Sequence, residues 1–268
     1  MTKILYGKPC ADSIYQSIQQ AVAHKSVKLV TIGFDEVHWN QYSNSLNVSA
    51  SKLGVGCEQI KLKIGISPTE LCDIVQRTCA RDDVHGVIVQ QPLPKEYAQV
   101  VNCVSPNKDV DCLNPLTVAN LYFGNDGFRP ATPTAVLRLL DYYGIDLQGK
   151  NVTIIGRGNA VGKPLALMAL QRNATVTVCH TKTLYLPTVC QGADIVISAC
   201  GVGGLVTNDF VTNSSIVIDV GLSFVDGTTC GDVAAEVYDT CYAISPVPGG
   251  VGPVTRAVLF ENLVNSIK

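Results

Sequence analysis

A strand that runs straight into a glycine turn and a helix constrains this chain more than any other feature. Val152–Ile155 is a short apolar, β-branched run. It leads into Gly156-Arg157-Gly158-Asn159-Ala160-Val161-Gly162-Lys163-Pro164, a helical pattern over Leu165–Gln171, and a second apolar run at Thr175–Cys179. Strand, turn, helix and strand in that order make a βαβ unit, which demands parallel strands and a right-handed crossover. Glycines let backbone approach a pyrophosphate, and the helix start offers free N–H groups at the positive end of its dipole. The spacing, G-x-G-x-x-x-G, is one residue longer than the usual dinucleotide fingerprint. A merely structural tight turn is the alternative. The strand–turn–helix–strand context favours a phosphate site in which Gly156, Arg157, Gly158 and Gly162 take part.

The end of the next strand selects the cofactor. An NAD site usually places a carboxylate there for the ribose 2′-OH. Here the residues are His180-Thr181-Lys182-Thr183, a cation and two hydroxyls. With Arg157 they suit a 2′-phosphate, so NADP is favoured and NAD is the alternative. Lys182 as a plain solvated charge is the bland reading, and His180 reads as a hydrogen-bonded turn residue rather than a catalyst.

Similar βα alternation fills the rest of the chain. Val27–Ile32, Gln59–Lys63 and Gly86–Gln90 read as strands, and Tyr42–Leu53 as a helix. Ser67-Pro68-Thr69-Glu70 starts a helix running to about Ala80, with serine as N-cap and proline at the first position. Thr132-Pro133 opens another, ending near Tyr143-Gly144. Asp194–Ala199 and Ser215–Val220 are continuous apolar runs of the kind that fill covered parallel sheets. Val254–Ile267 is helical. The expectation is an α/β protein of two lobes, each a mainly parallel sheet with flanking helices, the second Rossmann-like. The first lobe spans 1–120, with the C-terminal helix 254–268 packing back on it. The second spans 130–250.

Composition narrows the function classes. The 268 residues are 47% hydrophobic and 16% charged, with a net charge of −2. No basic footprint for nucleic acid or a membrane surface is present. No apolar run approaches the ~18 residues of a membrane span. The 11 cysteines include no C-x-x-C pair, so a zinc site and a thioredoxin motif are not expected. They read as small core residues in a reducing cytoplasm. Three loops stand out: Val89-Gln90-Gln91-Pro92-Leu93-Pro94 at a strand end, Pro106-Asn107-Lys108-Asp109-Val110-Asp111 with two carboxylates, and Pro246-Val247-Pro248-Gly249-Gly250-Val251-Gly252-Pro253, where backbone could meet a planar ligand. Each alone is ordinary turn chemistry.

Taken together, GKPCA, VQQPLP, PNKDVD, FRPATPTA, GRGNAVGKP, ATVTVCHTKT, ADIVISACG and PVPGGVGPVT span nearly the whole chain. In them the sequence resembles the methylenetetrahydrofolate dehydrogenase/cyclohydrolase family. The resemblance implies oxidation of 5,10-methylenetetrahydrofolate with NADP, then hydrolysis of the methenyl product to 10-formyltetrahydrofolate. It implies two α/β lobes with the active site in the cleft between them, and a homodimer. By motif, the pterin-stacking tyrosine falls on Tyr42, the glutamine on Gln90 and the pterin-bonding aspartate on Asp111. The cofactor residues fall on Gly156, Arg157, Gly158, Thr181 and Leu222. Tetrahydrofolate derivatives are thus the expected partners, with Pro248, Gly249 and Gly250 as further substrate contacts.

One departure bears on chemistry. The family's helix reads Y-x-x-x-K, but four residues past Tyr42 stands Leu46. The step of twelve from Tyr42 to Gly54 matches the family's own, so the register holds. Lys52 lies six residues past Leu46, on the far side of the helix. Leucine transfers no proton, whereas hydride transfer asks the protein mainly for orientation. Dehydrogenase activity is expected to survive and cyclohydrolase activity to be weak or absent. Smaller departures are Gly158, Ala131 and Cys112, and one extra residue between Gly33 and Tyr42.

Overall fold

The computed structural model describes residues 1–225 and 228–267. In chain order it runs β1 (Lys3–Ile4), α1 (Gly7–Val22), β2 (Lys28–Phe34), α2 (Val37–Leu53), β3 (Gly56–Leu62), α3 (Pro68–Cys79) and β4 (Gly86–Val89). A 3-10 stretch over Lys95–Cys103 precedes α4 (Pro115–Phe123), α5 (Ala131–Tyr142), β5 (Asn151–Ile155), α6 (Gly162–Leu170), β6 (Thr175–Cys179), α7 (Leu186–Gln191) and β7 (Ile195–Ser198). Then come β8 (Ile216–Asp219), β9 (Ser223–Val225), β10 (Thr228–Cys230), β11 (Ala243–Ser245) and α8 (Val251–Asn265).

The chain divides into two compact units. One holds Met1–Asp12 and Thr132–Thr255 around a six-stranded sheet, ordered β1-β11-β8-β7-β5-β6. All its pairings are parallel. Strand β7 is buried at every position, as expected of a strand covered on both faces, whereas β6 at the sheet edge is largely exposed. Its core joins Ile155, Val196, Val217 and Ile244 of the strands to Cys190, Phe210, Val237 and Cys241. The short β9–β10 pair is antiparallel.

The other unit holds Ser13–Ala131 and Arg256–Lys268, with a parallel sheet ordered β3-β2-β4. Val30, Ile32, Val87 and Val89 of the strands pack on Leu71 and Val75 of α3 and on Tyr97 and Val100 of the 3-10 stretch. Helix α3 starts as expected: Ser67 Oγ accepts the Glu70 N–H at 3.1 Å, with Pro68 behind it. Helix α2 ends on Gly54 at φ 71°, a left-handed position that favours glycine. The last helix ties in through Asn262, whose amide donates to the carbonyls of Val110 and Arg129, both at 2.8 Å.

Two expectations change. The sequence pattern groups residues 1–12 with the first lobe, but β1 pairs with β11 and they join the six-stranded unit. Two residues of strand gave too short a pattern to read. The cysteines are also not uniformly reduced: Cys72 of α3 and Cys103 of the 3-10 stretch are disulfide-bonded. Both elements cover the same face of the small core, which brings the two Cα atoms within 5.6 Å. Among the described residues nine cysteines are free.

Candidate active site

In the six-stranded unit the chain order reverses between β5 and β7, both neighbours of the glycine turn. Open α/β sheets form their ligand crevice outside the carboxyl ends of strands at such a reversal. Gly156 sits there at φ 116°, and a Cβ on it would lie 2.4 Å from the Ala199 carbonyl oxygen. A Cβ on Gly162 would lie 2.1 Å from the Gly156 oxygen. These two glycines close the turn between β5 and α6. Gly158 differs, since a Cβ there meets nothing within 4 Å. Its bareness leaves the backbone open to a ligand. Lys163 is tied down locally by Asn159 Oδ1 at 2.8 Å, while Arg157 is exposed.

The turn after β6 is self-braced. His180 N–H donates to Thr183 Oγ1 at 2.9 Å, and His180 Nδ1 accepts the Lys182 N–H at 3.2 Å. The imidazole therefore serves the turn, leaving the Thr181 and Lys182 side chains exposed. Leu222, beyond β8, is 60% exposed. The Pro246–Gly250 loop is pinned to the start of α1: Gly7 N–H donates to the Gly249 oxygen at 2.8 Å, and a Cβ on Gly7 would strike the Gly250 carbonyl. Pro248, Gly249 and Gly250 thus belong to this unit.

Tyr42, Gln90 and Asp111 belong to the three-stranded unit. Tyr42 lies on α2, which follows β2. Its phenol is held above the ordinary tyrosine range by burial, and the Asp111 carboxylate pushes the same way while the Arg256 guanidinium opposes it. Trp39 packs beside it with ring centroids 5.8 Å apart, and lies so close to Gly33 that a Cβ there would meet the indole at 2.3 Å. Asp111 is pushed up to about 7 by burial and by the neighbouring Asp109. Asp109 is itself buried, and accepts from Asn114 N–H at 2.8 Å, Leu113 N–H at 3.2 Å and the Thr117 hydroxyl. Burial raises both carboxyls of this acid pair, while the hydrogen bonds to Asp109, which anchor the loop, pull its carboxyl back down.

Gln90 directly follows β4 and is buried. Its Oε1 accepts the Phe34 N–H at 2.7 Å, and its Nε2 donates to Glu36 Oε2 at 2.9 Å. The sequence reading missed Glu36, because an acidic residue just before a helix reads only as helix-start chemistry. On α2 the buried residues are Trp39, Ser43, Leu46, Ala50 and Leu53. That spacing is one helical stripe, and Leu46 on it is 0% exposed. Lys52 is exposed, as the helical geometry requires.

The six-stranded unit with its glycine turn is a Rossmann-like α/β domain, and the second α/β unit carries Tyr42, Gln90 and Asp111, with the Asp111 carboxylate acting electrostatically on the Tyr42 phenol. Residues 5–111 match the family pattern for the tetrahydrofolate dehydrogenase/cyclohydrolase catalytic domain, and residues 130–268 match that for its NAD(P)-binding domain. The chain belongs to the tetrahydrofolate dehydrogenase/cyclohydrolase family. It is 38% identical to the bifunctional protein FolD 1 of Desulfitobacterium hafniense over 282 residues, covering 100% of this chain and 99% of that one. The crystal structure of the Campylobacter jejuni bifunctional enzyme FolD superposes with a TM-score of 0.93 at 36% identity, covering 99% of this chain and 98% of the other. The Trypanosoma brucei dehydrogenase–cyclohydrolase, solved with NADP and an inhibitor, gives 0.92 at 30% identity, covering 99% and 97%.

Proposed function

We propose that this protein oxidises 5,10-methylenetetrahydrofolate with NADP and that its hydrolysis of the methenyl product is weak or absent. Membership of the family supports the first part. The second rests on one observation: Leu46, at the position the family gives to lysine, is wholly buried on the inner stripe of α2.

The residues of the six-stranded unit fit a dinucleotide. The open Gly158, the N–H groups at the start of α6 and the exposed Arg157, Thr181 and Lys182 suit a pyrophosphate and a 2′-phosphate. Leu222 offers an apolar contact. Bound NADP supplies the hydride acceptor. In the three-stranded unit, Tyr42 supplies an aromatic face for the pterin. Asp111, near neutrality in its titration, presents a carboxyl that both donates and accepts hydrogen bonds at ring nitrogens. Gln90 is fixed at the strand end by its bonds to Phe34 and Glu36, which leave one amide hydrogen and one oxygen lone pair for the folate. Pro248, Gly249 and Gly250 give a rigid backbone surface for a planar ligand. These groups bind and orient, which hydride transfer chiefly requires.

Hydrolysis asks for more. Water must lose a proton as it adds to the methenyl carbon, and a ring nitrogen must gain one as the C–N bond breaks. A positioned acid–base group is worth about 10²–10⁴-fold in such a step, and leucine supplies none. The protein is further proposed to act in the cytoplasm as a homodimer.

The test is the absorbance of reduced nucleotide after mixing protein, methylenetetrahydrofolate and NADP, repeated with NAD. Turnover with NADP ahead of NAD supports the reading. Leu46 also favours a second reading, a folate- or nucleotide-binding relative with little catalysis. Titratable binding of both ligands without reduction of either nucleotide would select it.

A further inference from the structure

Asp232 has no place in the site described so far, yet it is 0% exposed and its carboxylate is crowded with donors. Oδ2 accepts from Ser198 Oγ at 2.8 Å, Cys200 N–H at 2.9 Å, the Cys200 thiol at 3.2 Å and Gly201 N–H at 3.3 Å. Oδ1 accepts from Val202 N–H at 2.8 Å. Three successive amides of the segment after β7 therefore point at one carboxylate. Such charge-assisted bonds are stronger than neutral ones. Asp232 is in turn held by Asp219 at the end of β8. Asp219 Oδ1 accepts Asp232 N–H and Gly221 N–H, and its Oδ2 accepts Val233 N–H, all at 3.0 Å. A Cβ on Gly221 would lie 2.0 Å from the Asp232 carboxylate, so Leu222 follows a residue pressed directly against it.

The bonds have a direction. The Cys200 N–H and the Ala199 C=O belong to one planar trans peptide and point opposite ways. With the N–H on Asp232, the Ala199 oxygen faces Gly156, where only a bare Cα leaves room. A single carboxylate thus sets the peptide that backs the glycine turn, the three residues beyond β7, and the approach to Leu222.

We infer that Asp232 is the positioning residue of the dinucleotide crevice, aligning the loops after β5, β7 and β8 without touching the ligand. The inference rests on the reading that this crevice takes NADP. The variant Asp232→Asn keeps the shape but turns one acceptor atom into a donor facing N–H groups. The measurements are NADP affinity by calorimetry, the KM values for NADP and for methylenetetrahydrofolate, and thermal stability. The expected result is a rise of about tenfold in Kd and KM for NADP with the folate KM within about twofold. A purely structural role would lower stability and move both KM values together or neither, which overturns the inference. If Asp232→Asn does not fold, Ser198→Ala decides. It removes one of the bonds to Oδ2 and is expected to raise the NADP KM alone by about threefold; an unchanged NADP KM overturns the inference. Wild-type protein that binds no dinucleotide overturns both this inference and the cofactor reading beneath it. Wild type that binds NADP beside a folded Asp232→Asn that binds it equally overturns only the inference.

Discussion

Replacing Leu46 with lysine returns an amine to the one position where the proposed hydrolytic chemistry lacks it. The cost follows from burial. Leu46 is 0% exposed between Ser43 and Ala50 on the inner stripe of α2. Emptying such a site by Leu→Ala costs about 2–5 kcal/mol. Lysine keeps most of the packing through its methylene stem but must desolvate its amine. A net loss of about 2–4 kcal/mol is expected, survivable against a stability on the order of 5–15 kcal/mol. For units of this size that lowers Tm by roughly 5–15 °C. Burial also lowers the amine's pKa, so the neutral base is available near pH 7 and the regained activity rises with pH as the amine loses its proton. The assay follows loss of methenyltetrahydrofolate absorbance against an enzyme-free control. Leu46→Lys is expected to raise hydrolysis by about 10²–10⁴-fold. Leu46→Met, which fills the same space without an amine, is expected to leave it at the control rate. A folded Leu46→Lys with unchanged hydrolysis, or wild type already far above the control, refutes the reasoning.

Further outcomes are expected elsewhere in the molecule. The Asp111 carboxyl binds its proton more tightly folded than unfolded, so it favours the fold at acid pH and loses that contribution as pH rises from 3.8 through about 7. Asp111→Asn should flatten that part of a denaturation-versus-pH curve, raise stability at pH 8 and raise the folate KM, whereas Asp219, pushed up to about 6, keeps a share of the slope. Gly156→Ala, which meets the Ala199 oxygen at a positive φ, should lower both Tm and NADP affinity. Gly158→Ala has open space and should lower NADP affinity with Tm unchanged, as calorimetry and a melting curve would show. Reduction should raise the thiol count of the unfolded chain from nine to eleven. The Cys72→Ser variant should lose about 3–4 kcal/mol in urea denaturation, given a sequence separation of 31 between the bridged residues.

The long strands and the glycine turn were legible because each is local. Thr175–Cys179 needed only its β-branched apolar run, and the α3 start needed only Ser67 and Pro68. Helix α1 carried a regular stripe, Cys10, Ile14, Ile18 and Val22, that went unread. Helix α4 carried signals that went unread, an Asn114 cap and Pro115 at the first position. Strands β1 and β11 are too short to show a period, and β1 finds its partner some 240 residues away. The same distinction governs the site. Tyr42, Gln90 and Asp111 stood in recognisable motifs. The Gln90–Glu36 bond and the donors converging on Asp232 join residues 54 and about 30 positions apart, which only tertiary structure brings together. The Cys72–Cys103 bond is of the same kind: a cysteine on a helix face reads as core until another element covers it.

The most direct test separates products. Protein, methylenetetrahydrofolate and NADP are incubated, and methenyl- and 10-formyltetrahydrofolate are resolved chromatographically beside an enzyme-free hydrolysis control. The account predicts reduced NADP with methenyltetrahydrofolate accumulating and formyl product at the control rate. Formyl product well above that control would contradict it, since a group other than lysine at position 46 would then be moving the protons.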